Sequence, residues 1–301
     1  MNFAGKSGWG AMVRYAKPHS LEEALALLAE GPWRILAGGT DFYPALGAKP
    51  LRENVLDING LPEMRGICED DSHDDSHIVI GARTTWTAIA RADLPPAFDA
   101  LRAAAREVGS VQIQNVGTVA GNLCNASPAA DGVPALMALD AEVELRSAGE
   151  TRRLPLGKFI LGNRKTAIRP GEMVTAIRIP KASARGASAF VKLGARRYLV
   201  ISIAMAAARL VVGAEGRIVE AAVAVGSCSA VARRLRELEA ALVGRPADGS
   251  LGGAVAAEHL AGLAPIDDVR GSRAYRIEAA REIVARALCG AAGVPETELA
   301  A

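Results

Sequence analysis

Two short glycine-bearing segments hold the residues best placed to do chemistry. The first is Ile35-Leu36-Ala37-Gly38-Gly39-Thr40-Asp41-Phe42. Paired glycines let a backbone approach a ligand closely and turn successive N–H groups into one concavity, which suits phosphate. A helix starting just after would add its positive end, and Thr40 adds a hydroxyl. Asp41 reads as the N-cap of that helix, because a carboxylate beside phosphate would repel it. The same residues could also form an ordinary turn between strand and helix. The second segment runs from Gly117 through Thr118, Ala120, Gly121, Asn122, Cys124 and Ser127 to Asp131. Its small residues permit close approach, and Thr118, Asn122, Ser127 and Asp131 could fix sugar or ribityl hydroxyls. The competing reading is an Ω-loop closed by its own hydrogen bonds.

Other reactive residue types do not assemble into a site. Gly5-Lys6-Ser7 resembles the end of a P-loop, but no glycine or strand precedes it. There is no GxGxxG, so a Rossmann dinucleotide site has no support. Asp70, Asp71, His73, Asp74, Asp75 and His77 could chelate a metal but read better as a solvated loop tip. His19 and His259 are isolated, and no serine or cysteine sits in a nucleophile elbow. Cys124 could be reactive within the polar segment but reads better as a small buried filler. Cys68, Cys124, Cys228 and Cys289 form no CxxC pair, disulfide framework or iron–sulfur set, which fits a reducing cytoplasm.

The chain that must position these segments has 301 residues, half of them apolar, with 35 basic against 33 acidic side chains. Scattered, balanced charge argues against nucleic-acid binding. The longest apolar stretch, residues 198–208, is too short to span a bilayer, and the N-terminus has no apolar signal region. Ser20 and Glu23 read as a capping box for a helix with Leu21, Ala24, Leu25 and Leu28 on one face. A strand over residues 33–37, a helix over 42–46 and a strand over 54–58 then predict a small parallel βαβ unit. Further on, a strand is expected at 78–80, helices at 85–90 and 96–108, and strands at 143–145 and 173–179. Residues 109–132 have little periodicity and read as a long polar loop. Strands at 189–193, 203–212 and 219–225 and helices at 230–242 and 274–288 complete the reading, with a loop at 245–253 between those helices.

In this order, and about 80 residues apart, the two glycine segments resemble those of the FAD-binding subunit of the xanthine dehydrogenase and carbon monoxide dehydrogenase family. The resemblance extends to Ile113-Gln114-Asn115 before Gly117, to Ser127-Pro128 before Asp131, and to Ile177-Arg178-Ile179-Pro180. It continues at Phe190-Val191-Lys192 with Arg196-Arg197, and at Asp268-Val269-Arg270-Gly271-Ser272 with Tyr275-Arg276. It implies an α+β fold of the p-cresol methylhydroxylase type, in which two subdomains clasp FAD ahead of a C-terminal antiparallel sheet and helix module. Residues 1–185 would form the FAD-binding domain, with subdomains at about 13–66 and 67–180, and 186–301 the C-terminal domain.

The resemblance also implies a site. Ile35, Leu36, Ala37, Gly38, Gly39, Thr40, Asp41 and Phe42 would cradle the FAD pyrophosphate, and Thr118, Ala120, Gly121 and Asn122 would form its second wall. Asp131 would accept from a cofactor hydroxyl, Val174 would pack on the flavin ring with Val108 as a further neighbour, and Lys192 would lie near the flavin. Two residues depart from the family pattern: Ala120 stands for a glycine, tolerable only at negative φ, and Gln114 stands for an arginine. The implied role is electron transfer from iron–sulfur clusters through FAD to NAD⁺, oxygen or another acceptor. The implied partners are a molybdopterin-binding large subunit and a 2Fe-2S small subunit. No catalytic acid, base, nucleophile or metal ligand is expected on this chain. A self-sufficient FAD oxidoreductase and a flavin-free scaffold are the alternatives.

Overall fold

In the computed structural model, which describes residues 13–71 and 76–294, three layers of structure follow one another along the chain. Gly5-Lys6-Ser7 and the acidic run's His73, Asp74 and Asp75 lie outside the described residues. The first unit comprises β1 (Tyr15–Ala16), α1 (Leu21–Glu30), β2 (Arg34–Leu36), α2 (Phe42–Leu46) and β3 (Val55–Asp57). Its strands are parallel in the order β1-β3-β2, the expected βαβ arrangement. The residues of α1 at helical spacing, Leu21, Ala24, Leu25 and Leu28, are its buried ones. Ser20 accepts from the Glu23 amide at 3.2 Å, but the Glu23 carboxylate reaches past Ser20 to the His19 amide at 2.8 Å. The capping box is therefore displaced by one residue.

The second unit is, among the described residues, a five-stranded antiparallel sheet with six α-helices. Its strands are β4 (Ile67–Asp70), β5 (His77–Gly81), β6 (Glu142–Arg146), β7 (Thr151–Pro155) and, after a hairpin of β8 (Ile160–Gly162) and β9 (Lys165–Thr166), β10 (Met173–Pro180). The sheet order is β4-β5-β10-β6-β7. Central β10 is buried along seven of its eight residues, because neighbouring strands and helices cover it. The helices are α3 (Trp86–Arg91), α4 (Asp99–Glu107), α5 (Val111–Val116), α6 (Val119–Asn125), α7 (Gly132–Ala138) and α8 (Leu156–Phe159). Residues 109–132 are thus largely helical rather than a loop. Helices of six and seven residues are too short to display a period. Hydroxyl caps start both: Ser110 accepts from the Ile113 amide at 3.4 Å and Thr118 from the Gly121 amide at 3.1 Å.

The third unit is an antiparallel sheet of β11 (Ala187–Leu193), β12 (Ala204–Val212), β13 (Ile218–Gly226) and β14 (Arg233–Arg234), with helices α9 (Arg236–Leu242) and α10 (Arg273–Ala291). Alanine-rich β12 would favour a helix by local propensity. It is a strand because both faces are covered: Ala204, Ala206 and Ala208 join the core beneath α10, while Ala207 joins the core of the preceding units. The helix expected at 230–242 starts only at Arg236. Arg234 is instead held in β14, where it pairs with Asp140 at 2.8 Å and Glu239 at 2.5 Å.

Buried Arg276 of α10 closes this unit, donating to the Ile203 carbonyl at 2.6 Å and to Asp268 at 2.7 Å. The Arg270 amide and then the Arg276 guanidinium hold the Asp268 carboxyl down at a pKa of about 2. An unfolded aspartate titrates near ~3.9. A depressed folded pKa stabilises the fold above the unfolded value, and that contribution disappears as pH falls through the folded one. The urea midpoint is therefore expected to fall between about pH 5 and pH 2.5, and to fall less in Asp268→Asn; equal slopes in the two proteins would contradict this.

Candidate functional site

Between the first two units lies a cavity of about 1330 Å³ whose walls include both glycine segments. Pockets for drug-sized ligands run to roughly 300–1,000 Å³, so this one suits a longer molecule. The two walls touch through backbone: a Cβ on Gly38 would lie 2.0 Å from the Val116 carbonyl oxygen. No other residue fits there without moving the walls apart. Gly39 has φ +76°, in the left-handed region. Gly117 faces Thr40, whose Oγ1 would be 3.6 Å from an added Cβ.

The walls divide the work. On the first, the amides of Gly38, Gly39 and Thr40 donate to no acceptor among the described residues. They remain available to a ligand. On the second, the Thr118 amide likewise has no acceptor among the described residues, but those that follow are engaged internally: Val119 with the Thr84 carbonyl, Ala120 with the Ala82 carbonyl, and Gly121 and Asn122 with the Thr118 hydroxyl and carbonyl. Asn122 lines that wall, and its buried Oδ1 has no hydrogen-bond partner. Ala120 lies within α6, has no positive φ and packs into the core, so its methyl meets the backbone condition. Gln114 points elsewhere and donates to the Arg106 carbonyl at 2.8 Å near the end of α4.

Asp41 stands at the N-cap position of α2 but caps nothing. Its carboxylate instead accepts from Asn125 Nδ2 across the cavity at 2.8 Å and lies 3.9 Å from Arg164. With only five residues, α2 adds little dipole; the glycine turn supplies the donors.

Of the other residues singled out by sequence, Ile35, Ala37, Phe42, Val108 and Val174 line the cavity. A β-bulge interrupts the β10–β6 register directly after Val174, the kind of irregularity that re-aims side chains. Leu36 does not line it; strand alternation turns it inward, where it is buried. Asp131 and Lys192 lie outside the lining and pair with each other at 2.9 Å. Asp131 also accepts from Ser202 at 2.8 Å, and Lys192 also donates to the Glu107 carbonyl at 3.3 Å, one residue before Val108. Burial pushes the Asp131 carboxyl above its ordinary pKa, although Lys192 opposes this. Ser127 accepts from the Ala129 amide at 3.2 Å and serves its own turn.

Sequence reasoning misses Arg34, Trp86 and Asn125, which also line the cavity. Arg34 lies 4.4 Å from the Phe42 ring centroid and pairs with Glu53 at 3.1 Å. Its signal is the single charge in an otherwise apolar strand. Cys124 is not a buried filler: it is exposed and lines the cavity. The enclosing walls still hydrate a thiolate poorly, and desolvation pushes its pKa up to about 12. No group of three His, Cys, Asp or Glu side chains among the described residues could hold a metal. The arrangement can therefore grip and orient a long ligand bearing phosphate, and any redox chemistry must come from that ligand.

Residues 11–182 match the family described as FAD binding domain in molybdopterin dehydrogenase, and residues 189–291 the CO dehydrogenase flavoprotein C-terminal domain. The nicotinate dehydrogenase FAD-subunit of Eubacterium barkeri is 35% identical over 237 residues, 76% of this chain and 79% of that one. The carbon monoxide dehydrogenase medium chain of Afipia carboxidovorans is 32% identical over 281 residues, 91% of this chain and 94% of that one. In the reconstituted CO dehydrogenase from Oligotropha carboxidovorans, a chain superimposes with TM-score 0.82 at 29% identity, covering 94% of this chain and 99% of that one.

Gly38→Ala is expected to force the walls apart, lower stability by roughly 1–3 kcal/mol and abolish ligand retention; denaturant melts and the flavin content of the purified protein measure both. Because only thiolate reacts, alkylation of Cys124 should be slow at neutral pH and rise about tenfold per pH unit between about pH 7 and 9. Peptide mass spectrometry of a Cys68→Ser protein reads that rate, and a plateau below pH 9 would contradict the desolvated thiol.

Proposed function

The chain belongs to the family of FAD-binding subunits of molybdenum hydroxylases, and from that membership we propose that it relays electrons between an iron–sulfur partner and a separate acceptor. It is an oxidoreductase subunit, and its cofactor is FAD. When bound, the flavin supplies the electron chemistry; the polypeptide binds it, orients it and limits its contact with water. One observation carries the reading. The unengaged amides of Gly38, Gly39 and Thr40 and the side chain of Asn122 line one cavity of about 1330 Å³, and the buried Asn122 Oδ1 has no partner.

In this reading the first glycine segment donates to the diphosphate, and Asn122 accepts from a hydroxyl of the cofactor. Val108 and Val174 contribute apolar surface to the ring. Asp131 and Lys192 stand behind that wall, so their proposed contacts with the cofactor require them to exchange part of their mutual ion pair for it. Until then, Lys192 braces the Glu107 carbonyl beside Val108. The boundary between the FAD-binding and C-terminal domains is proposed at residues 185/186.

The proposed partners are a molybdopterin-binding large subunit, which would hold the substrate pocket, and a 2Fe-2S small subunit. The relatives support a division of labour: nicotinate and carbon monoxide dehydrogenases are chemically unlike, yet their flavin subunits resemble this chain to similar degrees. NAD⁺ or another acceptor would take the electrons. A cytoplasmic location is proposed; no helix among the described residues is long and apolar enough to cross a membrane.

The isolated chain, purified and freed of partners, should show a flavin spectrum and release FAD on denaturation. It should leave nicotinate-like and purine-like substrates untouched and oxidise them only when both partner subunits are added. Turnover of such a substrate by the chain alone would replace the relay with a self-sufficient oxidoreductase. A colourless chain that takes up no FAD would remove the reading entirely.

A further inference from the structure

Asp41 presents a physical difficulty for any diphosphate in this cavity. Its carboxylate immediately follows the three available amides and lines the same space. The hairpin β8–β9 addresses this. At its tip Arg164 holds a left-handed backbone, φ +57°, and its amide donates to the Ala126 carbonyl at 2.9 Å, which anchors the tip at the end of α6. Its guanidinium donates to the Asn125 carbonyl at 3.3 Å and sits 3.9 Å from the Asp41 carboxylate. Asn125 Nδ2 holds the same Asp41 oxygen at 2.8 Å. The arginines that line the cavity are committed elsewhere, Arg34 to Glu53 at 3.1 Å and Arg169 to Glu150 at 3.7 Å. Gln114, where the family pattern has a cation, bonds away from the cavity.

We propose that Arg164 is a positioning residue for the cofactor: it neutralises Asp41 and holds that carboxylate against Asn125, so that the cradle accepts a diphosphate. The inference rests on the FAD reading of the site. Asp41 and Arg164 are more than half exposed, so in the empty chain the pair contributes little to stability. Its effect belongs to the loaded site, where the cofactor displaces water and charges are less screened.

The test is titration of the flavin-free full chain with FAD, followed by flavin fluorescence, at low and high salt. Arg164→Gln should weaken binding about three- to tenfold at low salt, with the loss shrinking as salt screens the carboxylate. Adding Asp41→Asn to that variant should restore the affinity, because the repelling charge is gone while an amide oxygen still accepts from Asn125. An unchanged Kd, a loss that ignores salt, or no recovery in the double variant would each overturn the proposal. Should Arg164→Gln not fold, Asp41→Asn alone decides: it should bind FAD at least as tightly as the parent with altered salt dependence, and weaker binding overturns the role given to Arg164. If the parent chain takes up no FAD, the flavin reading itself fails and this inference goes with it.

Discussion

The α-carbon of Gly38 rests so close to the Val116 carbonyl that one added methyl carbon would lie 2.0 Å from that oxygen. This backbone contact sets the distance between the cavity walls, and with it everything the cavity can hold. It works because the two units share one interior. Leu21, Ala24 and Leu56 of the first belong to the same buried cluster as Ile80, Trp86 and Val119 of the second. Neither wall is a loop hung on an independent domain. Their relative position is fixed by a common apolar core, the strongest organising force available to a chain of this size.

The C-terminal unit has its own core beneath α10 and meets the rest through both apolar and polar contacts, with Ala207 and Ala222 joining the core of the preceding units. Across that junction Asp140 receives Arg234 at 2.8 Å, and Arg209, almost fully buried, donates to the Ala138 carbonyl at 2.9 Å while Glu220 of its own sheet holds it at 2.5 Å. Buried ion pairs of this kind add little net stability, since desolvation offsets the attraction, but breaking one partner is costly. They define one docking geometry. Lys192 extends that geometry to the cavity's outer support through the Glu107 carbonyl.

Much of this was legible in the residues, for identifiable reasons. The βαβ unit announced itself because α1 carries a regular apolar stripe and the strands are short apolar runs bounded by glycine. The segments around Gly38 and Gly117 stood out by glycine spacing and do line one cavity. Short elements were not legible: α5 and α6 start from hydroxyl caps without a measurable period, and the β8–β9 hairpin that carries Arg164 leaves no alternation to read. Long-range partners were the other blind spot. Nothing local in Asp41 says that it will face Asn125 instead of capping α2, and nothing in Arg234 says that Asp140 and Glu239 will hold it in a strand. Such choices are made by tertiary contacts that override local preference.

The second wall, α6 with Thr118 as its cap, satisfies the amides of Val119 to Asn122 through contacts within the chain. Its contour is consequently complete before any cargo arrives. The two walls therefore differ in kind: one is a rigid contour drawn by its own backbone, the other a set of open donors that only a guest can complete.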